Sequence, residues 1–107
     1  MINGKPPITG VLEPTVRKAA EIVNNAVSRG AKIDTVYAAP PNPSMWGTGE
    51  HGMGRAIDVM VGSIRDGDVV ADYTWRNRER LRVKWIVWNH QIRSPERNNG
   101  AWRPYFF

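Results

Sequence analysis

Apolar residues recur along this chain in two rhythms, one helical and one extended. Val16, Ala19, Ala20, Val23, Ala26 and Val27 keep the three-and-four spacing of a helix face. Pro14 suits a first helical position and Gly30 the position past the last turn, so a helix is predicted over residues 14–29. Residues 33–38 form a short β-branched and aromatic run closed by Pro40, Pro41 and Pro43, which predicts a strand and then a loop. In residues 56–61 the side chains alternate, with Ile57, Val59 and Val61 on one face and Ala56, Asp58 and Met60 on the other. A second helix is predicted from Asp66-Gly67-Asp68 to about Leu81, with Val70, Tyr73 and Leu81 sharing a face and Arg76, Arg78, Arg80 and Arg82 fanned over its exposed part. Residues 83–88 lack polar alternation except at Lys84. That is the pattern of a central strand covered on both faces, and its expected place is beside the strand 56–61.

Between these elements, residues 1–13 carry prolines and glycines that suit an extended arm, and residues 94–100 have the composition of a loop. The loop 39–55 holds Trp46 and four glycines and is longer than a plain connection needs, which makes it a natural place for a binding site. The fold class that follows is α+β: a small, mainly antiparallel sheet packed against two helices, with residues 14–107 as the domain.

Composition narrows the chemistry. A chain of 107 residues holds one compact domain, and five tryptophans predict a core rich in aromatics. The net charge of +5 favours anionic partners without choosing between nucleic acid, an acidic polymer and a bacterial envelope. With no cysteine, any metal must be held by His, Asp or Glu. No window reaches the roughly 20 apolar residues of a membrane span, and the N-terminus lacks the pattern of a signal peptide.

The most informative stretch is His51-Gly-Met-Gly-Arg-Ala-Ile-Asp58. An imidazole and a carboxylate are both ligands that zinc accepts. Fully extended, the segment would hold them about 20 Å apart, so two ligands of one ion require the backbone to double back. Gly52 and Gly54 permit that reversal, and Ala56 shares a strand face with Asp58 while leaving space beside it. The plainer reading of the same residues is a surface His51 and an Asp58 paired with Arg55.

The spacing His-x-x-Gly-x-Ala-x-Asp, here His51, Gly54, Ala56 and Asp58, resembles the zinc-ligand signature of the D-alanyl-D-alanine carboxypeptidase and VanY-like peptidases, which share their fold with the hedgehog signalling domain. Residues 54–61, Asn77-Arg-Glu-Arg-Leu81, Val83-Lys-Trp-Ile-Val-Trp88 and Trp102-Arg-Pro104 look like the actinobacterial and mycobacteriophage lysin branch. The resemblance implies a zinc held by two His and one Asp, a water in the fourth position with a pKa near 7, and an acidic general base beside the last His. His51 and Asp58 take ligand roles on this reading. Trp46 and Arg55 are the candidate substrate contacts, and the partner is bacterial peptidoglycan.

In that family the third ligand and the general base follow the Trp-Arg-Pro segment, in a motif that does not occur before Phe107. The other histidine, His90, stands in a segment that is structural in the family. The missing ligand then comes from a completing segment, from a second chain, or not at all, the last case giving a catalytically inactive cell-wall-binding remnant. Gly49 stands where the family often has Ser, and Tyr37-Ala-Ala-Pro40 where many members carry a carboxylate-binding Arg. These departures favour an endopeptidase over a carboxypeptidase. A phage enzyme of this kind would wait in the host cytoplasm and reach the wall through a holin-type pore. A further reading is a basic binding module built on Trp75 and the four arginines, although no recognised nucleic-acid motif accompanies them.

Overall fold

The computed structural model describes residues 8–9, 13–37 and 56–105. Its elements are β1 (Ile8–Thr9), α1 (Glu13–Ser28), β2 (Ile33–Tyr37), β3 (Asp58–Val61), α2 (Ile64–Arg76), α3 (Arg78–Leu81), β4 (Ile86–Trp88), β5 (Gln91–Arg93) and β6 (Arg103–Pro104). The class is α+β, with two three-stranded sheets rather than one and a short third helix.

Helix α1 forms where the periodicity places it and ends in a backbone lock. Gly30, at φ +86, lets its own N–H donate to the Val27 carbonyl at 3.0 Å while the Ala31 N–H donates to the Ala26 carbonyl at 3.0 Å. Two carbonyls left over by the last turn are thereby satisfied. Ala19 and Val23 then pack with Val36 of β2 into a fully buried cluster, flanked by Val16, Val27, Ile33, Ile57 and Val59.

In the first sheet β2 pairs parallel with β1 and antiparallel with β3, placing Tyr37 opposite Asp58, Val36 opposite Val59 and Thr35 opposite Met60. Ile8–Thr9 thus add a short strand within the segment predicted to be an extended arm. Opposed residues share a face, so Val36 and Val59 turn toward α1, whereas Tyr37, Asp58 and Met60 turn away. A bulge at Asp34 shifts the register near Ile33 and restores the pairing of Ile33 with Val61.

The second helix begins earlier than the pattern predicts because Ser63, in extended backbone, accepts the Asp66 N–H on its hydroxyl at 3.2 Å. It does not run unbroken to Leu81. Asn77 interrupts it, donating from its side-chain amide to the Tyr73 carbonyl at 2.9 Å, and one further turn, α3, follows.

Residues 86–88 do not join β3. They pair with β5, which pairs with β6, in a separate sheet. The cause is a two-residue hairpin turn in which Asn89 and His90 both hold positive φ, 50° and 61°. Such a turn matches the twist of antiparallel strands and closes β4 onto β5 at once. Nor are both faces of residues 83–88 covered: Trp85, just before β4, is 45 % exposed and Val87 within it 37 %. The core also differs from the aromatic one predicted. Among the described residues the buried apolar side chains are all aliphatic, and Trp75, Trp88 and Trp102 stay half-buried. Indoles are too large to fit between α1 and a short sheet, and they gather instead where α2 meets the second sheet.

Candidate functional site

Asp58 opens β3. Its strand partner is Tyr37, and the register places Asp58 with the exposed Tyr37 and Met60 on the sheet face opposite α1. The alternation read from the sequence therefore holds: Ile57 and Val59 pack on the core while Asp58 is half-buried on the outer face. A carboxylate on a strand, with its neighbours two positions along on the same face, is held more firmly than one on a loop. Asp58 makes interactions of its own in this setting.

His51, Trp46 and Arg55 lie outside the described residues. Among the described residues no three His, Cys, Asp or Glu side chains come together in a group that could hold a metal ion. His90 sits at the tip of the β4–β5 hairpin, exposed, with its carbonyl accepting the Tyr105 N–H at 2.8 Å. Its place in the structure is accounted for by the turn.

The arginines predicted to fan over a helix face are mostly engaged. Arg80 grips Glu21 of α1 with both terminal nitrogens, the Nη1–Oε1 contact being 2.6 Å, and Tyr73 donates its hydroxyl to Glu21 Oε2 at 2.6 Å. The guanidinium first and the phenol second hold the Glu21 carboxyl at about 2, below its ordinary 4.5. Arg76 pairs with Asp72 one turn back, at 3.1 Å. Arg78 lies 4.4 Å from the centroid of the Trp75 ring and donates to the Trp75 carbonyl at 3.1 Å. Pairing of this kind fixes the α1–α2–α3 junction and leaves less free positive charge than the sequence suggests.

A second cluster carries no motif. The Arg93 guanidinium stacks 3.7 Å from the Trp75 centroid and 5.0 Å from that of Trp102, and its Nε donates to the Gly100 carbonyl at 2.8 Å. Burial, and then the charge of Arg78, pull Arg93 below the usual guanidinium value. Trp88 donates its indole N–H to Asp68 Oδ1 at 2.8 Å. The available sequence signals were Gly67 inside a helix and the run Asn98-Asn99-Gly100, whose three residues all take positive φ.

A family model described as VldE, C-terminal domain matches residues 9–106, nearly the whole chain. No curated protein and no solved structure matches it.

Proposed function

The chain belongs to the family described as VldE, C-terminal domain, and from the placement of Asp58 we propose that it is the core of a zinc-dependent peptidase that cuts peptide bonds of bacterial peptidoglycan. Its finer kinship, on this proposal, is with the D-alanyl-D-alanine carboxypeptidase and VanY-like peptidases, and its setting is a phage endolysin. The observation that supports the reading is the register of β3, which turns Asp58 to the outer sheet face beside Tyr37 and Met60 and away from the core of Val36 and Val59.

A carboxylate on that face and the imidazole of His51, seven positions earlier, form a donor set that suits zinc. When bound, the ion would supply Lewis-acid polarisation of the scissile carbonyl and a water made acidic near neutrality. Asp58 would hold its ligand oxygen on a strand, so one of the two proposed ligands would be fixed by sheet hydrogen bonds. Tyr37 and Met60, exposed on the same face, would line the approach of a substrate peptide. A third ligand and a general base come, in this proposal, from a completing C-terminal segment or a second chain.

The test is the zinc content of the purified chain and of its His51→Ala and Asp58→Ala variants, followed by cleavage of purified peptidoglycan. Stoichiometric zinc lost in both variants, with stem-peptide fragments released only by the unaltered protein, is the expected result. A folded chain that takes up no zinc and still sediments with cell walls would replace the enzyme with a cell-wall-binding remnant.

A further inference from the structure

We propose that the cleft between α2 and the β4–β5 hairpin binds one neutral sugar ring of a glycan, at a place separate from Asp58. The cleft encloses about 230 Å³. Sites for drug-sized ligands start near 300 Å³, so this one has room for a single six-membered ring or a group of that size.

Its walls have the composition that a pyranose requires. Trp88 and Trp102 offer aromatic surface to the apolar C–H face of a sugar, and Asp68, Asn89, Gln91 and Arg93 surround them with planar donors and acceptors for hydroxyl groups. Among the described residues, neither the Asn89 nor the Gln91 side-chain amide has a hydrogen-bond partner, and the Asp68 carboxylate is engaged through Oδ1 alone, by Trp88. Three polar groups therefore line the cleft with capacity unused.

The formal charges of the lining argue against an ionic ligand. Asp72 is already paired with Arg76 at 3.1 Å and lies 3.8 Å from Arg29, which leaves Asp68 and Arg93 as one negative and one positive charge on the same cleft. With formal charges that cancel in this way the cleft favours neither an anion nor a cation, whereas a polyhydroxyl ring satisfies donors and acceptors together.

The aromatic walls and Arg93 are also held before any ligand arrives. Trp88 fills the space left by Gly67, and Arg93 is stacked between Trp75 and Trp102 with its Nε bound to Gly100. A preformed cleft loses little side-chain freedom on binding, which is what allows a small sugar to bind detectably. The site lies on the helix side of the second sheet, and Asp58 on the face of the first sheet turned from α1. The choice of first probe rests on the peptidoglycan reading; the cleft argument does not.

Titration of the intact chain with N,N′,N″-triacetylchitotriose, followed by amide and indole N–H resonances, tests the proposal. Expected are shifts at the Trp88 and Trp102 indoles and at residues 68 and 89–93, with a dissociation constant on the order of millimolar. Trp102→Ala and the surface change Gln91→Ala, both checked for native fold by circular dichroism, should weaken binding by about tenfold, while Asp58→Ala leaves it unchanged. Cellotriose and maltotriose extend the panel to other glycans. Absence of shifts with all three sugars, shifts centred away from the cleft, or a response only to a diamine such as putrescine would overturn the proposal. None of those outcomes bears on whether Asp58 holds zinc.

Discussion

The indole of Trp88 occupies the space that a side chain at position 67 would need. A Cβ on Gly67 would lie 1.9 Å from Trp88 Cζ2 and 2.0 Å from Cη2, which no side chain can do without displacing the ring. Gly67 is buried within α2, so its presence there costs helix propensity that only this contact explains. Gly67→Ala would regain about 1 kcal/mol of propensity and lose more through forced repacking, for a net destabilisation of about 1–3 kcal/mol. Urea unfolding followed by tryptophan emission reads both effects, because the displaced indole also loses its bond to Asp68. A variant as stable as the parent would show that Trp88 has another place to go.

Glu21 ties α1 to α2 and α3, and its ionisation makes the tie depend on pH. The carboxyl titrates at about 2 in the fold and near 4.5 when free, so the folded state binds it as an anion more tightly than the unfolded chain does. Its stabilisation is complete above about pH 4.5 and is lost as the pH falls toward 2. The pair is partly open to solvent, which holds the contribution to about 1 kcal/mol. Glu21→Gln should flatten the stability profile between pH 5 and pH 2 and leave its slope above pH 6 unchanged, as denaturation at a series of pH values would reveal.

The helical and strand periodicities of residues 14–37 and 56–61 were legible because local pattern and tertiary packing agree there. Helix α1, strand β2 and the two faces of β3 follow directly from the spacing of Val, Ala and Ile. The second half was harder to read. Asn89 and His90 form a hairpin turn without the glycine that usually announces one, so β5 left no signal and β4 read as a partner of β3. Arg93 lies 18 positions after Trp75 and 9 before Trp102 and meets them only through the tertiary fold, as Asp68 meets Trp88 across 20 positions. Of the proposed metal site, the alternation that turns Asp58 outward was legible, and His51, Trp46 and Arg55 lie outside the described residues.

Arg93 packs a flat cation against two indoles, a role that lysine does not fill. Arg93→Lys keeps the charge but removes the planar stacking on Trp75 and the Nε bond to the Gly100 carbonyl. The expected loss is about 1–2 kcal/mol. Near-ultraviolet circular dichroism should weaken at the tryptophan bands while the far-ultraviolet spectrum is retained. Retention of both the tryptophan bands and the unfolding midpoint would mean that Trp75 and Trp102 are held by other contacts.

Two helix ends use the same lock with different residues, and the difference predicts changes of opposite sign. At the end of α3, Arg82 takes φ 56° and ψ 47°, its N–H donates to the Glu79 carbonyl at 3.2 Å, and Val83 donates to that of Arg78 at 2.8 Å. This is the geometry that Gly30 adopts after α1, but at Arg82 a Cβ must be carried in left-handed backbone. Arg82 is exposed, and among the described residues its side chain has no ion pair to lose. Arg82→Gly should therefore stabilise the fold by about 0.5–1 kcal/mol, the relief of strain exceeding the added freedom of the unfolded chain. Gly30→Ala would introduce that strain where it is now absent. A Cβ at Gly30 meets no atom within 4 Å, so the expected loss of about 1 kcal/mol comes from backbone conformation alone. Measured side by side in urea, the two variants should move the unfolding midpoint in opposite directions, and a shift of the same sign in both would show that one of the two caps is not formed.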